Sequence, residues 1–154
     1  MNITLASIEA EHARISALIE QFKKQPAPPE LRIPAVTIPL AAGERLAGAI
    51  LNDDGAIAHY TILLPGDADD VTWPGAKDWA AQQGGELPTR REQSLLFTNL
   101  RDEFESAWYW SAEAHESNSG WAWCQGFGLG TQYGTHQGYE FRARAVRRFI
   151  PSVI

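Results

Sequence analysis

The residues most able to do chemistry sit in the second half of the chain. Cys124, the single cysteine, pairs on paper with His115 or His136 as a nucleophile and its base. A small thiol beside Trp123 in a strand-like stretch is more ordinarily a buried apolar residue. Glu113 and Glu116 form a carboxylate pair of the kind that hydrolyses glycosidic bonds, although nothing in their spacing sets their separation. Asp67, Asp69 and Asp70 offer oxygen ligands to calcium, without the twelve-residue spacing or closing glutamate of a calcium loop. The four histidines, His12, His59, His115 and His136, lack metal-ligand spacing. Gly126, Gly128 and Gly130 match neither phosphate-loop pattern and precede no helix, so they read as a hairpin or a close backbone approach. Neither a metal nor a cofactor is therefore expected.

Two further groups bear on recognition. Arg142, Arg144, Arg147 and Arg148 crowd the C-terminal end of an acidic chain of net charge −6. They read as ties to the carboxylates of the helices, or as a patch for an anionic ligand such as an acidic glycan. Val146 and the Arg147-Arg148 pair break the alternation there and suggest a bulge. All six tryptophans lie between positions 73 and 123. Alternation puts Trp108 and Trp110 on one face and Trp121 and Trp123 on another, most of them as core. Polar, glycine-rich loops at Ala114–Ser119 and Gly128–Gly138 flank those strands. The expected ligand face is there, carried by His115, Glu116, Asn118, Gln132, Tyr133 and His136.

The elements that must position these groups are legible from periodicity. Leu5, Ile8, His12, Ile15, Ile19 and Phe22 recur in steps of three and four, a heptad seam on a helix from Leu5 to Lys24. Thr4 caps its start and Lys23 and Lys24 suit its negative end. A narrow apolar stripe on a helix of this length needs a partner, either a second copy of the chain or its own domain. Self-association is the preferred expectation, with His12 as a polar core residue and a trimer as one candidate number. Residues 25–34 hold four of the nine prolines and read as a semi-rigid tether, more than as a P-x-x-P ligand.

From position 35 the period becomes two. Val36–Leu40, Leu46–Leu51 and Ile57–Leu64 read as a three-stranded meander, with Asn52-Asp53-Asp54-Gly55 as a tight turn and Pro39 marking the first strand as an edge. Thr72-Trp73-Pro74 opens a helix that Gly84-Gly85 closes. Thr89 and Glu92 form a capping box for a second helix whose Leu95, Leu96, Phe97 and Leu100 face inward. Strand-like alternation returns after Phe104. The expected divisions are 1–24, 25–34 and 35–154.

The segments W-P-G-A-K-D-W (73–79), G-G-E-L-P-T-R-R-E-Q (84–93), W-Y-W-S-A-E (108–113), W-A-W-C-Q-G-F (121–127) and R-A-V-R-R-F (144–149) resemble the bacterial and phage family named for the C-terminal domain of a Legionella collagen-like protein. The resemblance covers roughly residues 57–150. It implies an α+β, C-type-lectin-like domain, related in shape to formylglycine-generating enzymes and to phage receptor-binding tips. It also implies a habit of binding ligands such as glycosaminoglycans. Formylglycine-generating enzymes need two cysteines, and calcium-dependent lectins need E-P-N or Q-P-D and W-N-D motifs. This chain has neither set, so the resemblance supplies no catalytic residue and no calcium site.

Together these readings give a C-type-lectin-like domain preceded by a coiled-coil-like helix. The expected role is a non-enzymatic, homo-oligomeric binding protein of phage or prophage type, tail- or fibre-associated, recognising a cell-surface glycan or protein. A structural or assembly role among other virion proteins is the alternative, and a glycan hydrolase using Glu113 or Glu116 a second one. The acidic balance (pI about 5.2) argues against nucleic acid, and no run reaches the ~18 apolar residues of a membrane span. With no signal-peptide pattern, synthesis in the bacterial cytoplasm followed by association with a virion is expected.

Overall fold

The computed structural model describes residues 2–152, so the last two residues of the expected 35–154 domain and Met1 lie outside the described residues. The chain divides into two compact units, residues 1–35 and 36–154. In the first, α1 runs Leu5–Lys24. A reciprocal capping box starts it: the Thr4 hydroxyl accepts from the Ser7 amide and the Ser7 hydroxyl accepts from the Thr4 amide, each at 3.2 Å. None of its residues is buried; Ile15 is 54% exposed and Phe22 74%. No regular structure follows in residues 26–35.

The second unit is a mixed α+β domain. Strands β1 (Arg45–Leu51) and β2 (Ile57–Leu63) pair antiparallel across the expected tight turn, where Gly55 takes a φ of +87° and donates to Asn52 O at 3.0 Å. The expected first strand of the meander is not formed: residues 36–40 lack strand structure. Pro34 and Pro39 have no N–H to give a ladder, and the Pro39 carbonyl instead accepts from Arg147 Nη2 at 2.8 Å. The third place in the sheet goes to β8 (Val146–Phe149), from the far end of the chain. It pairs antiparallel with β2 from Leu63↔Val146 to Tyr60↔Phe149 in unbroken register, so the alternation breaks before Val146 and not in a bulge after it.

The second sheet runs β3 (Ala68–Val71), β7 (Phe141–Ala143), β4 (Trp108–Ala114), β5 (Trp121–Gly126), β6 (Gln132–His136). Its pairs are antiparallel except β4 with β7. Helix α2 (Trp73–Gln82) is capped by Thr72 and ended by Gly84 at φ +81°; α3 (Arg90–Asn99) is capped by Thr89. The two helices serve different cores, and β4 divides its side chains between them. Trp110 packs with Trp73, Ala76, Ala80 and Cys124, whereas its neighbour Tyr109 packs with Leu96, Leu100, Phe127 and Val146. A strand alternating between two apolar sides must be covered on both. Both buried indoles keep their hydrogen bonds, Trp73 Nε1 to Ser111 O and Trp110 Nε1 to Val71 O, each at 2.8 Å.

Between α2 and α3 the chain bridges to β8 through Glu86 and Val146. A Cβ on Gly85 would stand 2.5 Å from Val146 O and 2.7 Å from Leu64 Cδ1. Backbone cannot step aside as a flexible side chain would. Gly85→Ala is therefore expected to cost about 1–3 kcal/mol, read as a lowered thermal midpoint. No helix among the described residues is long and apolar enough to cross a membrane.

Candidate binding site

A cavity of about 490 Å³ opens where the start of α3 meets four strands. It is lined by Ile50 of β1, His59 of β2, Thr89, Arg90, Arg91 and Ser94 at α3, Glu113 of β4 and Gln132 of β6. The capping box that starts α3 also builds the site's support. Glu92 is fully buried and accepts from Thr89 N at 2.9 Å, Thr61 Oγ1 at 2.8 Å and Arg148 Nη2 at 2.7 Å, with His59 Nε2 at 3.0 Å. Burial alone would push its carboxyl up, yet the hydrogen bonds from Arg148, the Thr89 amide and Thr61 outweigh that and hold it at about 2. The same contact raises the Arg148 guanidinium above its ordinary value.

Arg90 is the wall's central residue. Its amide donates to Glu113 Oε2 at 2.6 Å, its Nε donates to Gln132 Oε1 at 2.9 Å, and its guanidinium carbon lies 3.5 Å from the Trp123 ring centroid. Arg91 donates through Nη2 to Leu51 O at 2.8 Å. Among the described residues, Arg90, Arg91 and Glu113 take part in no side-chain ion pair. The four C-terminal arginines are the opposite case. Arg142 bridges Asp67 and Asp69 at 3.1 and 2.8 Å, Arg144 meets Glu103 and the Leu64 carbonyl, Arg147 meets Glu44, and Arg148 meets Glu86 and Glu92. They are ties, although only Glu92 among their partners lies on an α-helix, and they form no free basic patch.

The six residues expected to carry the ligand face divide. His115 follows β4, stacks on Trp123 at 5.0 Å with 15° between planes, and accepts through Nδ1 from the Ser117 and Asn118 amides. Glu116 accepts from Trp123 Nε1 at 2.9 Å; that bond is the main reason its carboxyl lies below the usual range, and the Arg90 charge adds to it. His115, Glu116 and Gln132 thus meet around Trp123 and Arg90, but only Gln132 reaches the cavity. Asn118 is exposed in the turn. The expected loop at Gly128–Gly138 is in fact interrupted by β6, which carries Gln132, Tyr133 and His136. Strand alternation puts Gln132 and His136 on the Trp121/Trp123 side and Tyr133 on the other, 5.8 Å from Trp108 and 54% exposed. His136 accepts from the Gly138 amide at 3.0 Å. Spacing does not announce this strand, because Gly134 leaves a gap in its side-chain pattern. That glycine is where His115 lies: a Cβ there would be 2.7 Å from His115 Cδ2.

Sheet faces also separate the nucleophile from its expected bases. Cys124 is buried against α2, donates from Sγ to Tyr133 O at 3.2 Å, and is pushed by burial up to about 12, whereas His115 and His136 share the other face. Native protein at pH 8 is accordingly expected to resist iodoacetamide at Cys124, and to react fully once unfolded in urea, as read by intact mass. Among the described residues no three His, Cys, Asp or Glu side chains group to hold a metal ion.

Sequence reading missed His59, Arg90, Arg91 and Ser94. One signal was available for the arginines. They occupy the first two positions of α3, the electropositive end where cations are disfavoured by roughly 0.3–1 kcal/mol each. In Thr-Arg-Arg-Glu the spacing announces the cap but not that two arginines stand side by side at a helix start. No model of a known protein family matches the chain, and no curated protein matches its sequence.

Proposed function

We propose that the chain is a non-enzymatic, homo-oligomeric binding module of phage or prophage type. In this reading a C-type-lectin-like domain is carried on a short coiled-coil helix and recognises a cell-surface glycan or protein from a tail or fibre. The observation that carries it is α1: a capped, 20-residue helix with no buried residue and a stripe of exposed Leu5, Ile8, Ile15, Ile19 and Phe22. Such a face gains stability when copies cover it, and joined copies raise weak single-site binding by avidity. The lectin-like part of the reading is supported by where the resembling segments fall. L-P-T-R-R-E starts α3, and W-Y-W-S and W-A-W-C form the central strands β4 and β5.

Sedimentation tests the assembly. The full chain is expected to form a multimer and residues 36–154 a monomer of the same fold; a monomeric full chain overturns the reading. A glycan array probed with the multimer tests recognition. Absence of binding, with co-purification in virions, would favour an assembly role.

A further inference from the structure

We propose that the cavity at the start of α3 binds a small polar α-amino acid as its zwitterion, the ligand carboxylate on Arg90 and Arg91 and its ammonium on Glu113. The inference goes beyond the proposed function, does not depend on it, and names a ligand for this site. Its basis is the distribution of unneutralised charge. In a chain of net charge −6 the C-terminal arginines are all matched to carboxylates, yet two arginines and one glutamate with no ion-pair partner among the described residues line a single cavity. The guanidiniums make few bonds of their own: one from Arg90 Nε and one from Arg91 Nη2. Their remaining donors fit a carboxylate in the planar, forked manner that favours arginine. The Glu113 carboxylate spends Oε2 on the Arg90 amide and has no other hydrogen-bond partner among the described residues. Its second oxygen suits an ammonium.

Other ligand classes fit less well. A polyanion would meet Glu113 within the same wall. A neutral sugar wants a broad aromatic face; no Trp, Tyr or Phe among the described residues lines the cavity, and Trp123 beside Arg90 already carries Arg90 and His115. Ile50 is the only apolar side chain in the lining, so a large hydrophobic side chain finds no pocket, whereas Ser94 and Gln132 offer hydrogen bonds to a polar one. The volume, about 490 Å³, falls in the range of roughly 300–1,000 Å³ usual for small-molecule sites.

Calorimetry on the full chain with serine, alanine and glutamine is the test, with glycerate, ethanolamine and glucuronate beside them. Glycerate replaces the ammonium of serine by hydroxyl, and ethanolamine lacks its carboxylate. Serine is expected to bind at least about tenfold more tightly than either, the loss of one charge-assisted contact. Arg91 is exposed, so Arg91→Gln should leave the melting midpoint unchanged and weaken serine by about tenfold. Glu113→Gln keeps an oxygen for the Arg90 amide and should abolish the preference for serine over glycerate. The proposal is overturned if none of the amino acids binds, if glucuronate binds as well as serine, or if Glu113→Gln weakens serine and glycerate equally. A multimer that binds none of the three amino acids sinks this inference alone; a monomer that binds one of them sinks the assembly reading alone.

Discussion

Glu92→Ala is expected to destabilise the domain by about 3–5 kcal/mol, a large share of the roughly 5–15 kcal/mol that holds a domain folded. The carboxylate is buried where α3 meets the β1-β2-β8 sheet, and four groups are arranged around it. Its removal leaves Arg148 with the exposed Glu86 as its carboxylate partner, strands the buried Thr61 hydroxyl, and takes the Glu92 half of the capping box from the Thr89 amide, although the Thr89 hydroxyl still caps the amide of residue 92. Each loss is a named cost: an undercompensated charge, an unsatisfied buried hydroxyl and an amide without its capping acceptor. Glu92→Gln retains the shape and an acceptor oxygen and separates the charge from the packing. Because the folded carboxyl titrates at about 2, below its ordinary 4.5, its contribution is fully present above 4.5 and is lost as the pH falls through 2. That contribution is up to about 3 kcal/mol, of which about 2 is gone by pH 3. Urea unfolding at pH 7 and pH 3 reads it directly. The gap between wild type and Glu92→Gln should narrow by about 2 kcal/mol on acidification, and an unchanged gap would mean the carboxylate is not held ionised.

Glu92 also marks where sequence reading stops. Its bond to Thr89 is a local matter three residues long, and the caps at Thr4, Thr72 and Thr89 and all three α-helices are visible for that reason, although the reciprocal Ser7 half of the first cap is not. Its bond to Arg148 spans 56 residues, and nothing in the spacing announces it. Strands behave in the same way. Alternation correctly put Trp108 with Trp110, both against Phe141, and Trp121 with Trp123, both against His115. Period two tells which residues share a face but not which strand lies alongside. So period two offers Val36–Leu40 for the place that β8 takes, and it names no carboxylate partner for the arginines of β8, which the sheet pairing and the ion pairs to Glu44 and Glu92 supply. The cavity has the same origin: its residues come from five elements, and only Thr89, Arg90, Arg91 and Ser94 are near in sequence.

Ile15→Glu is expected to convert a multimer into a 17.0 kDa monomer without loss of helix or of domain stability. Ile15 lies in the middle of the stripe, with Ile8 a heptad before it and Phe22 a heptad after. Covering an aliphatic side chain is worth about 1.5–3 kcal/mol, so the five apolar seam residues give of order 10 kcal/mol per chain before entropy is counted. Association costs roughly 4–15 kcal/mol, which leaves a narrow surplus. Placing one carboxylate per chain into a shared apolar layer removes that surplus, since the charges must be desolvated side by side. Glutamate is a good helix former, and its repulsion with Glu11 four residues back costs only about 0.2–0.5 kcal/mol, so circular dichroism should change little. Ala10→Glu, on the side of α1 away from the seam, is the matched control and should sediment as the wild type does. Isoleucine at the Ile8 and Ile15 positions of the heptad disfavours a parallel two-stranded coil and favours three or four strands. The wild-type mass should therefore be three or four times that of the variant. A variant that still forms the multimer would move the interface off α1 altogether.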